Sequence, residues 1–277
     1  MDAVALHNDV IGCCPSTCGT LMTEVTFDFD GVRGYRLSGR LLAPEAVPRA
    51  WAIFAHCFTC GKDSLAAARI ARALASEGIG VLRFDFAGLG TSGGCFADST
   101  FAANVDDVVA AGRAMTEAGK APALLIGHSL GGAAALAAAA SMPGIRAVAT
   151  IGAPFDVKNV LKQFNPDSLE KIRSMGEAEV QLAGRPFVVR KTFVDDLERH
   201  DLASSIQQLG RALLVMHSPH DTTVDIDNAG RIFLAAKHPK SFISLDDADH
   251  LMRKSSDADY AAALIAAWVS HYLPGEG

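Results

Sequence analysis

The sequence predicts an α/β protein whose mostly parallel sheet is covered by helices on both faces. Short apolar runs alternate with helical segments from residue 51 onward, and this alternation is typical of such sheets. The chain has 277 residues, 49% of them hydrophobic, which is enough to bury one large core. We therefore expect a single domain over residues 22–277, preceded by an extension, residues 1–21, that follows neither a helical nor a strand period.

The elements follow from the apolar pattern in chain order. Val25, Phe27 and Phe29 alternate with polar residues, and residues 35–42 follow across a glycine-containing turn, which predicts an antiparallel hairpin and hence a mixed sheet. Buried strands are predicted at residues 51–55, 81–86, 123–126, 147–151, 212–216 and 241–245. Helices are predicted at residues 64–77, 100–118, 130–140, 225–236 and 257–272.

The alternation breaks over residues 155–205. A charged helical stretch is followed there by two strand-like runs, residues 177–182 and 187–189, on either side of a turn at Gly184. The pattern predicts a helix and a hairpin inserted before the next buried strand. An insertion at this point lies over the carboxyl ends of the strands, where ligands bind in open α/β sheets, so we interpret it as a small cap.

Charge and hydropathy exclude several classes of partner. The 25 Lys and Arg residues against 31 Asp and Glu residues give a net charge of −6 without a basic cluster, so neither nucleic acid nor a membrane surface is expected as a partner. No apolar run is long enough to span a bilayer, and the amino terminus lacks the basic and apolar segments of a secretory signal. A cytoplasmic location is expected, and the sequence leaves a homodimer open.

The six cysteines are too sparse in a chain of this length for a disulfide scaffold. In a reducing compartment they are expected to remain thiols. Cys57 and Cys60 have the spacing of a redox pair, but that motif works at the start of a helix, which is not predicted here. A metal site among Cys13, Cys14 and Cys18 would lack a fourth ligand nearby, so no metal is expected.

The segment from Gly127 to Gly131 carries the strongest functional signal. It has the sequence Gly-His-Ser-Leu-Gly and lies between the apolar run of a predicted strand and an alanine-rich predicted helix. A strand that enters a helix through so tight a turn holds its serine in a strained conformation, and the flanking glycines supply the room that the turn needs. The pattern predicts that Ser129 is a nucleophile with an exposed hydroxyl.

A serine hydroxyl is a weak nucleophile at neutral pH, so Ser129 needs a base within hydrogen-bond reach and an acid that orients the base. Among nine histidines, His250 is preferred because it lies in a polar loop directly after the last predicted strand. Asp221 follows the preceding strand and is the preferred acid, in the chain order serine, acid, histidine. Asp225 is the alternative, although the start of a predicted helix gives it a structural reason of its own. His128, beside the serine, is expected to point elsewhere on the turn.

The oxyanion that forms when an acyl group is attacked needs two backbone N–H donors. One is expected from Leu130, the residue after the nucleophile. The other is expected from the loop after the first buried strand, where Phe58 is preferred and Cys57 is the alternative. Phe58 and Leu130, with Phe164 and Phe193 of the predicted cap, are candidates to bind substrate in an apolar acyl pocket. The two cap residues could equally serve only to hold the cap down.

Two further patterns resemble ligand sites. Residues 88–93 fit the dinucleotide pattern G-x-G-x-x-G, but the next helix starts only near residue 100, so a phosphate would not meet a helix amino terminus. A tight turn beside the site is the preferred interpretation. His217, His220 and Asp221 could hold a metal, but no other cluster converges on them in the sequence. No cofactor is therefore predicted.

Several segments taken together resemble one family. They are AHCFTC (residues 55–60), RFDF (83–86), GLG (88–90), GHSLGG (127–132), LAGRPF (182–187) and DDADH (246–250). With them the chain resembles, from about residue 22 to residue 272, the hydrolase half of bifunctional α/β-hydrolase/OsmC-type proteins. This resemblance implies an eight-stranded α/β-hydrolase fold, a triad of Ser129, Asp221 and His250, and an esterase-like activity. No counterpart of the peroxide-reducing OsmC half is expected in this sequence.

The function predicted from these residues is that of a serine hydrolase. It would cleave a carboxylic ester or similar acyl bond of a small molecule through an acyl-enzyme on Ser129. An acyltransferase with the same triad and a non-catalytic binding module of the same fold are the alternatives. A thiol-dependent redox protein that uses Cys57 and Cys60 is a further one, but it leaves the Ser, Asp and His pattern unexplained.

Overall fold

The computed structural model describes residues 22–273 and contains a main sheet of eight strands. The strands in chain order are β1 (Met22–Thr26), β2 (Phe29–Asp30), β3 (Arg36–Leu37), β4 (Gly39–Pro44), β5 (Ala50–Ala55), β6 (Ile79–Phe84), β7 (Leu124–His128), β8 (Ala147–Ile151), β9 (Glu177–Leu182), β10 (Arg185–Arg190), β11 (Ala212–His217) and β12 (Lys240–Ser244). The α-helices are α1 (Leu65–Ser76), α2 (Phe101–Glu117), α3 (Leu130–Ala138), α4 (Pro166–Met175), α5 (Lys191–Arg199), α6 (Leu202–Gln207), α7 (Asp227–Ala235) and α8 (Ser255–Val269). The predicted extension, residues 1–21, lies outside the described residues, as do residues 274–277.

The main sheet has the strand order β1, β4, β6, β5, β7, β8, β11, β12. The pairs β1–β4 and β4–β6 are antiparallel, and every later pair is parallel. The start of the chain is more elaborate than the predicted hairpin, because β2 and β3 form a separate short ribbon within the connection from β1 to β4. The predicted fold class, a mostly parallel eight-stranded sheet in a mixed arrangement, is confirmed.

Helices cover both faces of this sheet, which is why its parallel strands are continuous apolar runs. On one face, α1 packs with α8; on the other, α2 packs with α3. In α1, Ile70 and Leu74 lie four residues apart and are fully buried, and each such burial stabilises the fold by about 1.5–3 kcal/mol. Thr100 begins α2 by accepting a hydrogen bond from the N–H of Ala103 at 3.0 Å. None of the helices within residues 22–273 is long and apolar enough to cross a membrane.

The chain between β8 and β11 forms an insertion that contains α4, the antiparallel pair β9–β10, α5 and α6. The predicted helix and hairpin correspond to α4 and β9–β10, whereas α5 and α6 are additional. The local sequence accounts for α4, since Asn165 accepts a hydrogen bond from the N–H of Asp167 and Pro166 occupies the first turn. Gly176 ends that helix in a left-handed conformation, with φ of 91°.

Candidate active site

Ser129 lies in the turn where β7 runs directly into α3. Its φ of 55° and ψ of −126° place it in a strained conformation, of a kind that costs on the order of 1–3 kcal/mol. The neighbouring glycines make the turn possible. A Cβ atom on Gly127 would lie 2.4 Å from the carbonyl oxygen of Gly131, and one on Gly131 would lie 2.3 Å from that of His56. The Gly-x-Ser-x-Gly spacing is therefore a steric requirement of this turn.

Ser129 as a whole residue is only 4% exposed, and the exposed hydroxyl that the sequence suggests stays a prediction. The ends of two strands and a histidine enclose the residue. Its backbone N–H donates to the carbonyl of Ile151, the last residue of β8, at 2.8 Å. Its Oγ atom lies 3.0 Å from Nε2 of His250.

His250 connects Ser129 to Asp221. Its Nδ1 atom lies 2.7 Å from Oδ2 of Asp221, and the side chains of the histidine and the aspartate are 8% and 2% exposed. Since the carboxylate can only accept, Nδ1–H donates to it, and Nε2 is left to accept the proton of the serine hydroxyl. The structure thus brings together the three side chains that the sequence singled out, although they come from loops after β7, β11 and β12.

Asp221 is held as a carboxylate by its hydrogen bonds. Burial alone would raise its pKa, but hydrogen bonds from His250 and from the N–H groups of Val224 and Thr223 hold the pKa below its usual range. Asp225, the alternative acid, instead accepts the N–H of Asp227 at 2.8 Å in the turn that leads into α7. That contact is the structural role that the sequence offered for Asp225.

His128 contacts the backbone of the loop that carries His250, a contact that the sequence did not reveal. Its Nε2–H donates to the carbonyl oxygen of His250 at 2.6 Å. Burial, aided by the nearby His250, lowers the pKa of His128 to about 4, so its imidazole is neutral at pH 7. The sequence predicts only that His128 points elsewhere on the turn. It does not predict the hydrogen bond to His250, because that bond joins residues 122 positions apart in the chain.

Two further residues shape the surroundings of Asp221. His217 is fully buried at the end of β11, donates from Nε2 to the carbonyl of Val224 at 2.8 Å, and lies 3.5 Å from Oδ2 of Asp221. Gly152, directly after β8, has φ of 57°, and a Cβ atom there would lie 3.1 Å from Oδ2 of Asp221 and 3.4 Å from Nδ1 of His250. A side chain at Gly152 would therefore press on the hydrogen bond between the acid and the base.

The loop after β5, residues 56–61, lies against the start of α3 and carries the second predicted oxyanion donor. Within residues 22–273, the N–H groups of Phe58 and Leu130 donate to no other protein atom. Both are therefore available to an oxygen atom on a substrate. His56 supports the loop, since Nδ1–H donates to the carbonyl of Cys57 at 2.8 Å and Nε2 accepts the N–H of Phe86 at 3.4 Å.

Cys57 and Cys60 form a disulfide, so the expectation that they remain thiols is wrong for this structure. The physical reason is a tight turn that the sequence did not indicate. The N–H of Cys60 donates to the carbonyl of Cys57 at 3.1 Å, and Thr59 adopts φ of 59°, which is rare for a β-branched residue. This turn brings the two Cα atoms to 5.4 Å, within the range that a disulfide requires.

Three further contacts hold the loop from outside. Arg185 of β10 donates from Nη2 to the carbonyl oxygen of Thr59. Lys62, directly after the loop, donates to Asp85 from Nζ at 2.5 Å and from its backbone N–H at 2.7 Å, and both side chains are buried. The ring of Phe58 stacks on rings of the insertion, namely Phe193 at 5.6 Å and Phe164 at 6.4 Å between centroids.

A cavity of about 10 Å³ lies beside the two candidate donors, about the room that one water molecule needs. Phe58, Leu130 and Phe96 are among its lining residues, whereas Phe164 and Phe193 are not. These two cap residues are buried in the aromatic stack, as the alternative interpretation of them anticipated. A larger groove, of about 430 Å³, lies at the opposite ends of the strands and is not part of this site.

The glycine pattern of residues 88–93 forms a tight turn. The N–H of Gly88 donates to the carbonyl of Gly93 at 2.9 Å, and a Cβ atom on Gly90 would lie 2.1 Å from Oδ2 of Asp85. The glycines thus let this turn close over the carboxylate that Lys62 contacts. His220, the other residue of the possible metal cluster, has a side chain that is 71% exposed, unlike buried His217.

The chain is similar to known proteins in both sequence and fold. The model of a family described as serine aminopeptidase, S33, matches residues 47–185. The chain belongs to this family, within the α/β-hydrolase superfamily. Among solved structures, the esterase domain of a Rhodothermus marinus protein is 45% identical, with a TM-score of 0.74 over 92% of this chain and 100% of that chain. Our chain and that domain are thus members of one family of hydrolases.

More distant structures share the fold. Est1E from Butyrivibrio proteoclasticus, solved with ferulic acid bound, is 17% identical with a TM-score of 0.75, over 89% of this chain and 98% of that one. A serine hydrolase without a lid, from Xanthomonas campestris, is 21% identical with a TM-score of 0.63, over 92% and 97%. No curated protein matches the chain. The narrower likeness to OsmC-type proteins is not shown by these matches and stays a prediction.

Proposed function

We propose that this α/β-hydrolase is a serine esterase that cleaves carboxylic esters of small molecules through an acyl-enzyme on Ser129. The observation that carries the proposal is the position of His250. Its two ring nitrogens lie 3.0 Å from Oγ of Ser129 and 2.7 Å from Oδ2 of Asp221, in a line that can move one proton. The free N–H groups of Phe58 and Leu130 lie in the two adjoining segments where an oxyanion would be received.

The proposed reaction follows from these contacts. Oγ of Ser129 attacks the carbonyl carbon of the ester while Nε2 of His250 takes the hydroxyl proton. The N–H groups of Leu130 and Phe58 donate to the oxygen that becomes negative. His250 then gives the proton to the departing alcohol. Water attacks the acyl-enzyme by the same steps and releases the acid. Asp221 keeps the imidazole in the required tautomer and stabilises its positive charge.

The choice of an ester over a peptide rests on the relatives. The family description names a serine aminopeptidase, but the relative that is 45% identical over 92% of this chain is described as an esterase domain. The same side chains would attack either bond, so the two substrates are separated by assay. We expect faster turnover of p-nitrophenyl esters than of amino-acid p-nitroanilides, and the reverse order would favour the aminopeptidase.

We further propose that the acyl group is short. The cavity beside Phe58 and Leu130 has room for about one water molecule, which matches an acyl chain of very few carbon atoms. Of the four residues that the sequence suggested for substrate binding, this proposal retains Phe58 and Leu130 and assigns Phe164 and Phe193 to packing. A panel of p-nitrophenyl esters of increasing acyl length should show the highest kcat/KM for the shortest members.

The central experiment is covalent labelling with a fluorophosphonate probe, which reacts with an activated serine. Wild type should be labelled, and Ser129→Ala should lose both labelling and ester turnover while keeping its thermal unfolding midpoint. Ser141→Ala, at an exposed serine outside the site, is the matched control and should behave as wild type. Labelling that persists in Ser129→Ala would refute the assignment of the nucleophile.

The same experiment separates the alternatives. A stable wild type that is neither labelled nor active on any ester would favour a binding module. A wild type that transfers the acyl group to an added alcohol faster than to water would favour an acyltransferase. Both outcomes would contradict the proposed hydrolase.

A further inference from the structure

We propose that the Cys57–Cys60 disulfide is a thiol–disulfide exchange site that controls the esterase by positioning the N–H of Phe58. The inference rests on the proposed function, because it concerns the oxyanion that this reaction would form. Its basis is a coincidence of position. The bridge spans only four residues, and the candidate donor lies between the two cysteines.

The bridge holds a turn that the loop would not otherwise favour. Thr59 is β-branched and adopts φ of 59°, a conformation that persists only where the surroundings impose it. The disulfide is one such constraint, and the Arg185 contact to the carbonyl of Thr59 is another. The donor N–H of Phe58 belongs to the peptide between Cys57 and Phe58, whose carbonyl oxygen accepts hydrogen bonds from His56 and Cys60. Freeing the side chain of Cys57 therefore removes one of the constraints on the rotation of that peptide.

The two cysteines differ in exposure. Cys57 is 5% exposed, whereas Cys60 is only partly buried. We therefore assign Cys60 as the sulfur that an external thiolate attacks. The reductant is a dithiol, either a small molecule or a protein with a Cys-x-x-Cys pair.

The exchange is balanced as follows. One thiolate of the dithiol bonds to Sγ of Cys60, the Cys57–Cys60 bond breaks, and Cys57 leaves as a thiolate that takes a proton. The second thiol of the reductant then attacks the reductant's other sulfur atom, which is bonded to Cys60 in the mixed disulfide, and releases Cys60 as a thiol. Two electrons and two protons pass to the protein, and the reductant leaves as a disulfide.

Reduction of the disulfide should lower the turnover rate while it leaves the arrangement of the nucleophile Ser129 and its partners largely unchanged. Ser129, His250 and Asp221 come from loops after other strands and share no hydrogen bond with residues 57–60. Loss of one oxyanion donor lowers kcat by about 10²–10³-fold in a serine hydrolase, and this factor is the upper bound for the effect of reduction on kcat. Because other contacts still hold part of the loop, we expect reduction to lower kcat by about tenfold or more, with a smaller change in KM.

The experiment uses the full chain in a background where only Cys57 and Cys60 can react. Serine replaces the remaining cysteines, Cys13, Cys14, Cys18 and Cys95. Ester turnover is measured before reduction, after a dithiol, and after reoxidation. The redox state is read by alkylation and mass spectrometry of tryptic peptide 50–62, which contains both cysteines and is released by cleavage after Arg49 and Lys62. Cys57→Ser and Cys60→Ser in this background mimic the reduced state without a reductant.

The outcomes are distinct. A fall in kcat that accompanies alkylation of both cysteines, is reversed by reoxidation and is reproduced by both single variants, in protein that is still folded at the assay temperature, supports the proposal. An oxidised enzyme whose kcat changes by less than about twofold on complete reduction overturns it and leaves the esterase standing. If neither redox state turns over any ester, the proposed function fails and this inference fails with it. A peptide 50–62 that is already fully alkylated before reduction also overturns it.

Discussion

The two halves of the candidate site are held in place by different kinds of contact. On the side of the triad, two buried histidines at strand ends of the main sheet and two backbone N–H groups of the loop after β11 support Asp221 and His250. On the side of the oxyanion loop, the supports are of more kinds: hydrogen bonds of His56, a disulfide, a buried ion pair, an arginine from the insertion and the aromatic stack on Phe58. The geometry of the triad is thus a consequence of the fold, whereas that of the oxyanion donor depends on several separable contacts.

The largest effect is expected on the triad side, from Asp221→Asn. The amide can donate to Nδ1 and so favours the wrong tautomer of His250, a change that lowers kcat by about 10⁴-fold in a comparable triad. The turn should persist, because Oδ1 of an asparagine can still accept from the N–H groups of Thr223 and Val224. Steady-state kinetics measure the loss of kcat, and the thermal unfolding midpoint shows whether the turn persists.

Asp225→Asn is the matched control for that prediction. This residue is the acid that the sequence offered as an alternative, and its contact is with the start of α7. We expect a kcat close to that of wild type. A greater loss of turnover in Asp225→Asn than in Asp221→Asn would reverse the assignment of the acid.

The next largest effect is expected on the oxyanion side, from Lys62→Met. Burial would raise the pKa of Asp85, but hydrogen bonds from Lys62 and Thr91 hold it below its usual range, so the carboxylate stays charged. Removing the cation leaves that buried charge unpaired, which costs about 3–5 kcal/mol in the free energy of unfolding. Urea denaturation measures the loss.

Arg173→Met provides the comparison for Lys62→Met. Arg173 and Glu198 form an ion pair at 2.6 Å whose side chains are about half exposed. Such a surface pair contributes only about 0–1 kcal/mol. Equal losses from the two substitutions would show that the Lys62–Asp85 pair does not anchor the oxyanion loop.

A third prediction tests His128 on the triad side through the pH dependence of stability. The pKa of His128 falls from 6.5 to about 4 on folding, so the unfolded chain takes up a proton at a higher pH than the folded protein. Stability is therefore lost as the pH falls from about 6.5 to about 4. His128→Asn lacks this loss, so its stability relative to wild type should improve by about 2 kcal/mol between pH 7 and pH 4.5.

The test of His128 must use the difference between the two proteins. Burial raises the pKa of Asp107 to about 6, which gives a contribution of opposite sign over an overlapping pH range. That contribution is common to wild type and variant and cancels in the difference. Parallel curves of unfolding free energy against pH would contradict the assigned shift.

The same contrast explains which parts of the candidate site could be predicted from the sequence. Ser129, Asp221 and His250 could be singled out because each lies in the segment that follows a predicted apolar strand, and parallel strands bring their carboxyl ends to one edge. The contacts that hold the oxyanion loop could not be predicted in this way. The disulfide depends on Thr59 adopting a left-handed conformation, which nothing in a β-branched residue indicates, and Arg185 contacts Thr59 across 126 positions. Long-range contacts of this kind leave no periodic signal.

The smallest predicted effect is a change of specificity from Phe96→Ala. The ring of Phe96 lies 5.9 Å from that of Phe58 between centroids and lines the small cavity. Its removal enlarges the proposed acyl pocket without touching the triad or either N–H donor. Each methylene newly buried there is worth about 0.8 kcal/mol, or about fourfold in kcat/KM. The optimum of the ester panel should therefore move to longer acyl chains while turnover of the shortest ester changes little.

Leu234→Ala is the control for Phe96→Ala, because it removes an apolar side chain that is 79% exposed on α7. It should leave the chain-length profile unchanged. If Phe96→Ala also leaves the profile unchanged, the cavity is not the acyl pocket. If it instead lowers kcat for every ester by a similar factor, the ring positions the loop of Phe58. In that case the contact between the rings of Phe96 and Phe58 is a further support of the oxyanion side.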